Sequence, residues 1–260
     1  MSGPSASGSK ATRGGRFRRI ARVAWAVVSW YVVESFVFGL AVMPAALFWV
    51  WHLRRGIRPE WLHALVLAMS FIPAYLIFAV ALMALSALAA RGLGWRTPAD
   101  AEMPIADLDG ALLRWVRYSA TTHLVRVLAG GLLRSTPLWT LFLRWNGARV
   151  GRNVYVNSLS LMDHNLIELG DDVVVGSDVH LSGHTVEAGV VRTARVRVGA
   201  GATIGNGSVI GIGVVVGEGA QVGALSVVPK RRVIEARGIY VGTQLRQIRG
   251  RAAAPDEGDT

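Results

Sequence analysis

The spacing of apolar residues divides the chain into parts with different periods. Between Val23 and Trp51 the only charged residue is Glu34, and residues 61–90 contain no Asp, Glu, Lys or Arg. A helix needs about 20 apolar residues to cross the hydrocarbon core of a bilayer, and both runs are long enough. The pattern predicts a transmembrane helical hairpin over residues 21–96, with a short basic loop between its two helices.

Residues 97–146 have an amphipathic pattern, because leucines and valines recur among arginines at helical spacing. The sequence LAGGLLRSTP interrupts this pattern and predicts two helices, the second beginning near Thr136 and Pro137. Trp115, Trp139 and the arginines favour a helix at the level of the lipid headgroups. The alternative is a helical connector that packs on the next domain.

From Val150 the period becomes six. Eight hexads begin with an aliphatic residue, and in seven of them glycine follows: LGDDVV, VGSDVH, LSGHTV, VGAGAT, IGNGSV, IGIGVV, VGEGAQ and VGALSV. A repeat of six is typical of a parallel β-helix. We therefore predict a β-helix domain over residues 147–246, in which glycine permits the backbone geometry of a tight corner. The period stops for eleven residues, 187–197, just after His184.

Charge distribution restricts the classes of partner. The chain has 28 Lys and Arg against 17 Asp and Glu, but the basic, Gly- and Ser-rich segment 1–20 leads directly into the apolar runs. We therefore expect membrane lipid, and not nucleic acid, as a partner. The basic N-terminal segment favours the cytoplasmic side of the inner membrane, and two crossings return the chain to that side, so the β-helix domain is predicted to be cytoplasmic. Segments 1–20 and 247–260 are predicted to be disordered tails. The chain has no cysteine, which excludes disulfides and thiolate chemistry.

The hexads, the lead-in LRWNGARVGRNVYV and the closing segment VGALSVVPKRRV…GIYVGTQLRQI resemble the left-handed parallel β-helix (hexapeptide-repeat) acyltransferases over about residues 145–245. This resemblance implies a homotrimer, active sites between neighbouring subunits, an acyl-coenzyme A or acyl-carrier donor, and a hydroxyl or amine acceptor. More narrowly, the layout and the segment TPLWTLFLRWNGARVG resemble the membrane-bound C-terminal region of poly-lysine-synthetase-type peptide synthetases.

The resemblance also implies a histidine base on a coil just before a protruding loop. His184 matches by position, and imidazole suits proton transfer because its ordinary pKa lies near neutral pH. His164 and Asp163, at another irregularity, are further candidate catalytic residues, whereas His180 is predicted to be structural. Zinc held by three histidines, as in the gamma-type carbonic anhydrases, does not fit the spacing of these residues, so no metal is expected.

A donor site is expected along the later coils, where small residues leave room for a pantetheine arm and a lysine can meet a phosphate; the candidates are Gly211, Gly213, Ala224, Ser226 and Lys230. The Gly-x-Pro-Ala turn that usually closes the acyltransferases is replaced here by VGTQLRQI, which leaves a carrier-bound donor open. The first hypothesis is a membrane-anchored acyltransferase that moves an acetyl group from acetyl-CoA to a lipid-linked or amphiphilic acceptor. The alternatives are a carrier-protein-dependent amide-forming module and a non-catalytic trimeric membrane scaffold.

Overall fold

A computed structural model describes residues 7–250, apart from the side chains of residues 7–14, 16, 249 and 250. Three helices form the N-terminal part: α1 Ser7–Arg54, α2 Glu60–Met69 and α3 Phe71–Gly92. The segments Phe17–Arg54 and Glu60–Gly92 are long and apolar enough to cross a membrane by length and composition. Many of their large apolar side chains are exposed, and so extensive an apolar surface is typical of one that meets a partner or lipid.

The disordered tail predicted for residues 1–20 is wrong for residues 7–20, which are helical. Once a helix has formed, each further residue adds a hydrogen bond at low cost, and arginine and alanine are good helix formers. Residues 1–6 lie outside the described residues. At the other end, Arg246–Gly250 form a strand, so the predicted tail is also wrong for residues 247–250. Residues 251–260 are outside the description.

A strand and three helical segments connect the apolar helices to the β domain: β1 Glu102–Pro104, α4 Gly110–Val125, α5 Gly131–Leu133 and α6 Pro137–Trp145, with a π-helical turn over Arg126–Gly130. Helix α6 begins with Pro137 after Thr136, which confirms the predicted restart. Trp139 on this helix is 1 % exposed and donates to the Ser158 carbonyl at 3.0 Å. The headgroup-level position predicted for this tryptophan is therefore wrong, because α6 packs on the first coil of the β domain.

Helix α4 also packs on the first apolar helix. The guanidinium of Arg117 donates to the Ser29 hydroxyl at 2.8 Å. Thr121 donates to the carboxyl of Glu34, which is 5 % exposed, and Trp30 donates to the Thr121 hydroxyl. The carboxyl of Glu34 therefore faces a helix of its own chain.

Short parallel strands form three sheets, which the chain visits in turn. After the interruption, paired residues are eighteen apart, as for Val198 with Val216 and Val216 with Ile234, and before it they are nineteen or twenty apart. Across the interruption, Leu169 pairs with Val198, a separation larger than eighteen by eleven residues.

The strands of the three sheets, in chain order, are β2 Arg149–Val150, β3 Tyr155–Val156, β4 Leu161–Met162, β5 Ile167–Leu169, β6 Val174–Val175, β7 His180–Ser182, β10 Val196–Val198, β11 Thr203–Ile204, β12 Val209–Ile210, β13 Val215–Val216, β14 Gln221–Val222, β15 Val227–Val228, β16 Val233–Ile234, β17 Gly238–Val241 and β18 Arg246–Gly250, the last running antiparallel to β17.

The segment that interrupts the repeat has regular secondary structure. Strands β8, His184–Glu187, and β9, Val190–Thr193, form an antiparallel hairpin, and β1 pairs with β9 as a third strand. The irregular loop predicted after His184 is therefore a β-hairpin that leaves the repeating coils and is fixed by a strand from the connector.

The glycine at the second hexad position has a different role from the predicted one. A Cβ added to Gly205 would lie 2.4 Å from the Ala224 nitrogen of the next coil, so this glycine allows close stacking of the backbone. The left-handed backbone occurs instead at the fourth position, as at Gly207, where φ is +65°. Stacking and corner geometry therefore fall on different residues of each hexad.

Candidate functional site

The hairpin and the first coil bring His184 and Asp163 together at one corner. Strands β4 and β7 are neighbours in one sheet, with Leu161 paired to Leu181. Asp163 follows β4 in a left-handed conformation, with φ at 57°, and His184 begins the hairpin just after β7. Nδ1 of His184 lies 2.5 Å from Oδ2 of Asp163. Both side chains belong to the predicted catalytic set, and the fold joins them in a direct contact.

The carboxyl group of Asp163 is 3 % exposed and is held by further donors. The Thr97 hydroxyl donates to Oδ1 at 2.7 Å, the Trp115 indole donates to the same oxygen at 3.0 Å, and the Ser182 hydroxyl lies 3.3 Å from Oδ2. Burial acts to raise the pKa of Asp163, but the hydrogen bonds from His184, Thr97 and Trp115 outweigh it and the pKa is lowered. Asp163 is therefore a carboxylate at neutral pH, which favours the proton on Nδ1 of His184 and leaves Nε2 as the basic nitrogen.

The His184 ring lies at the wall of a cavity of about 250 Å³. The Trp115 ring meets the imidazole edge-on, with 4.9 Å between ring centroids. Helix α4 supplies one wall of the cavity and the first coils supply the other; its lining consists of Trp115, Ser119, Thr122, His123, Arg126, Trp139, Leu159, Leu161, Met162, Asp163, His164 and His184. The cavity thus combines apolar walls with a basic nitrogen and several hydroxyl groups.

His164 has a different environment from its neighbour Asp163. Its ring is 3 % exposed, contacts Tyr118 and Phe142 edge-on, and donates through Nε2 to the Leu161 carbonyl at 3.0 Å. Burial lowers the pKa of His164 to about 4, so the ring is neutral at neutral pH. Nδ1 is buried without a hydrogen-bond partner among the described residues. This geometry does not fit the catalytic role predicted for His164 and makes it part of the packed wall.

His180 lies on β7 and is half-buried. Its pKa is lowered, first by burial and then by the charges of His184 and Arg126. It does not line the cavity. Within residues 7–250, no group of three or more His, Cys, Asp or Glu side chains is arranged to hold a metal ion.

The predicted donor residues fall at two corners of the β domain. Gly211, Gly213 and Lys230 follow β12 and β15, at the corner from which the hairpin leaves, and Lys230 forms an ion pair with Glu187 of the hairpin. Ala224 and Ser226 lie at the preceding corner. Ser226 is completely buried and accepts a hydrogen bond from the Gly242 nitrogen at 3.0 Å. This geometry does not fit the binding role predicted for Ser226, because its hydroxyl faces the interior.

Sequence reasoning missed the residues that support the pair. Thr97 and Trp115 precede Asp163 by 66 and 48 residues, outside the repeat, so the period gives no signal for them. It also missed Arg231 and Arg232, which extend Lys230 into a run of three exposed basic residues beside the hairpin corner. The run PKRR is visible in the sequence, but only its Lys230 is among the predicted donor residues.

No known protein family and no curated protein matches the chain. Similar solved structures include acetyltransferases. A hexapeptide-repeat acetyltransferase from Vibrio cholerae is 22% identical with a TM-score of 0.38, and the match covers 42% of this chain and 65% of that one. A galactoside acetyltransferase in complex with coenzyme A is 24% identical with a TM-score of 0.37, over 43% and 69%. A maltose O-acetyltransferase from Clostridium difficile is 22% identical with a TM-score of 0.42, over 54% and 88%.

Proposed function

We propose that the protein is a membrane-anchored acyltransferase in which His184 is the general base and Asp163 positions it. The observation that carries this proposal is the 2.5 Å contact between Nδ1 of His184 and a buried carboxylate, at the base of a hairpin inserted into a hexapeptide solenoid. The resemblance of the hexads to the left-handed β-helix acyltransferases supports it, since a histidine beside a protruding segment is the base in that family.

The chemistry follows from the protonation states of the pair. The Asp163 carboxylate accepts a hydrogen bond from Nδ1–H of His184 and so keeps Nε2 free to take a proton from the acceptor's hydroxyl or amine. As that proton moves to Nε2, the acceptor oxygen or nitrogen attacks the thioester carbonyl and its C–S bond breaks. The imidazolium of His184, stabilised by the Asp163 carboxylate, then returns the proton to the departing thiolate. The buried carboxylate thus supplies charge stabilisation without itself taking up a proton.

An acyl-coenzyme A, most simply acetyl-CoA, is the proposed donor. Lys230, Arg231 and Arg232 are consecutive basic residues at the hairpin corner, and cationic side chains of this kind bind phosphates. Gly211 and Gly213 lie at the same corner, where they allow close approach of the Lys230 backbone and the Arg231 side chain. The homotrimer implied by the resemblance would set the neighbouring subunit's coils beside this corner and complete a cleft.

A lipid-linked or amphiphilic acceptor is proposed from the contact between the cavity wall and the apolar helices. Helix α4 lines the His184 cavity, and its Arg117 is hydrogen-bonded to Ser29 of α1. Helix α4 therefore links the cavity of the proposed base to the helices that we propose to be in the membrane. We propose a cytoplasmic β domain on the inner membrane, because basic residues precede the first apolar run.

Two experiments on the full chain in detergent test the proposal. Calorimetry with acetyl-CoA tests the donor, and saturable binding of about one molecule per subunit is expected. Transfer of a labelled acetyl group to a membrane-lipid extract tests the reaction: His184→Ala should abolish it, whereas the matched variant His180→Ala, outside the cavity, should retain it.

The outcomes separate the alternatives. Wild-type transfer by a folded His184→Ala protein would refute the assignment of the base. Absence of acetyl-CoA binding by the folded protein would favour a carrier-bound donor, as in the amide-forming module, and a carrier-linked acyl group would then be the substrate to test. Absence of transfer from either donor would favour the trimeric scaffold.

A further inference from the structure

A second cavity, of about 860 Å³, lies beside a neighbouring face of α4 and shares no lining residue with the His184 cavity. It is bounded by the C-terminal end of α3, the segment that follows it, and one turn of α4. Its lining consists of Ala90, Arg91, Gly94, Trp95, Arg96, Thr97, Pro98, Ala99, Arg114, Tyr118, Asn146, Gly147, Asn165, Leu166 and Arg195. The cavity is large enough for a polar headgroup.

The charge of this lining has one sign. Four of its residues are arginines, Arg91, Arg96, Arg114 and Arg195, and none is Asp or Glu. Within residues 7–250, the first three form no ion pair with a carboxylate. Guanidinium groups gathered without counter-charges repel one another, and an anion relieves that repulsion.

The fourth arginine adds to this excess. Arg195 lies 3.0 Å from Glu168, but the same carboxylate is also within 3.1 Å of Arg149 and of Arg197. One negative charge therefore serves three guanidinium groups. The region around the cavity retains a positive charge even where a carboxylate is present.

Neutral polar groups in the lining are already hydrogen-bonded within the protein. Asn165 donates to the Thr97 carbonyl at 2.7 Å, and Asn146 donates to the Phe142 carbonyl at 3.0 Å. Tyr118 donates to the Asn146 carbonyl at 3.4 Å. The guanidinium groups are therefore the donors that we expect to bind a ligand, because their planar pairs of N–H groups match phosphate oxygens.

The location of the cavity indicates the source of the phosphate. Ala90 and Arg91 belong to the last turn of α3, the second helix long and apolar enough to cross a membrane. Leu88 and Leu93, on either side of them, are 67% and 49% exposed. Arginine at the end of such a helix is typical of the membrane surface, where lipid phosphates lie.

We infer that this cavity is a binding site for the phosphate or pyrophosphate group of a membrane lipid, held by Arg91, Arg96, Arg114 and Arg195. The inference rests on the proposed membrane anchoring and is independent of acyl transfer. Thr97 lines this cavity, and its hydroxyl also donates to Asp163 at 2.7 Å. A bound lipid phosphate would thus order the segment that holds the carboxylate of the catalytic pair.

The test measures binding by the full chain reconstituted in phosphatidylcholine nanodiscs. One arm adds phosphatidic acid to the nanodisc, a second adds inorganic pyrophosphate to the buffer, and a third adds coenzyme A as a competitor. Saturable binding of phosphatidic acid is expected in the wild type. It should weaken about tenfold or more in Arg96→Gln/Arg114→Gln, because charge-assisted hydrogen bonds to phosphate are lost.

Two further variants keep the outcome interpretable. Ala99→Glu adds a negative charge at an exposed lining residue without removing a contact, and it should weaken binding as well. Arg237→Gln/Arg246→Gln removes the same number of charges at exposed residues outside the cavity and should bind like the wild type. Equal losses in this control, or no saturable binding of phosphatidic acid, would overturn the inference. So would binding of pyrophosphate alone, which indicates a soluble ligand, or displacement by coenzyme A, which assigns the cavity to the acyl donor.

Discussion

Asp163 and His184 are in direct contact although they are 21 residues apart in sequence, with 2.5 Å between Oδ2 and Nδ1. The separation corresponds to about one coil of the β domain, where Leu161 pairs with Leu181. Each residue follows its strand at the same corner, so the stacking of coils creates the contact. The proposed base and its carboxylate are therefore positioned by the stacking of neighbouring coils.

Asp163→Asn tests this relationship. Asparagine keeps the size of the side chain but removes the charge, and it can donate to Nδ1 of His184 and leave the proton on Nε2. We expect acetyl transfer to fall by about 10²- to 10⁴-fold, as when a general base is held in the wrong tautomer. Steady-state rates in detergent measure the loss. Transfer within about twofold of the wild type, by a folded variant, would contradict the positioning role.

Thr97→Val tests the support that reaches Asp163 from the connector. Valine has nearly the shape of threonine but lacks the hydroxyl that donates to Oδ1 at 2.7 Å. A hydrogen bond to a charged group contributes about 2 kcal/mol, so the variant should unfold at a lower denaturant concentration at neutral pH. Thr203→Val, on a strand far from the pair, is the matched control and should change little.

The pH dependence of that difference has a definite sign. The pKa of Asp163 is lowered in the folded protein, so its interactions stabilise the fold above its ordinary pKa, and this contribution is lost as pH falls through the folded pKa. Thr97→Val removes part of the contribution. The stability difference between wild type and variant should therefore be largest at neutral pH and shrink in acid; a constant difference would indicate a packing effect alone.

The sequence predicts best what repeats. The hexads predict the parallel strands, their separation and the position of the inserted segment, because the same aliphatic and glycine positions recur in each coil. Asp163 and His184 could be named from the irregularities beside them. Thr97 could not, since its contact with Asp163 spans 66 residues and depends on how the connector folds back.

Burial was the quantity that the sequence left open. Asp163 and His164 are neighbours and both titratable, yet one contacts His184 and the other is enclosed by Tyr118 and Phe142. The role of Ser226 likewise depends on whether its side chain points to solvent or into the interior of the β domain. It points into the interior. The arginine-lined cavity escaped prediction because its residues come from five separate segments that only the folded chain brings together.

His164 should make the protein sensitive to moderate acid. Its folded pKa is about 4 against an ordinary value of 6.5, so the unfolded chain binds a proton first as pH falls. This linkage lowers stability as pH decreases from 6.5 towards 4, and it amounts to about 2 kcal/mol between pH 7 and pH 5. His164→Gln removes the titrating group and keeps a donor towards the Leu161 carbonyl.

Denaturant unfolding of both proteins at pH 7 and pH 5 measures the effect. The wild type should lose more stability than His164→Gln by about 2 kcal/mol over this range. His123→Gln, at an exposed histidine, should lose as much as the wild type. An equal pH dependence for wild type and His164→Gln would show that the buried imidazole does not control acid sensitivity.

The proposed membrane topology can be tested by labelling, because the chain has no cysteine. Glu60→Cys marks the exposed first residue of α2, directly after the loop between the apolar helices, and Glu218→Cys marks an exposed corner of the β domain. In intact cells a membrane-impermeant maleimide should label the first variant, and it should label the second only after the inner membrane is opened. Labelling of Glu218→Cys in intact cells would place the β domain outside the cytoplasm and contradict an intracellular acyl donor.

Gly205→Ala tests whether the second hexad position is set by stacking. The added Cβ would lie 2.4 Å from the Ala224 nitrogen and 2.7 Å from the Gly223 carbonyl carbon, both backbone atoms that cannot rotate away. Overpacking of this kind costs about 1–3 kcal/mol or more and should spread to the neighbouring coils. Gly131→Ala is the control, since its Cβ would meet nothing within 4 Å and alanine favours helix. Equal unfolding midpoints for the two variants would mean that the coils can separate to admit a methyl group.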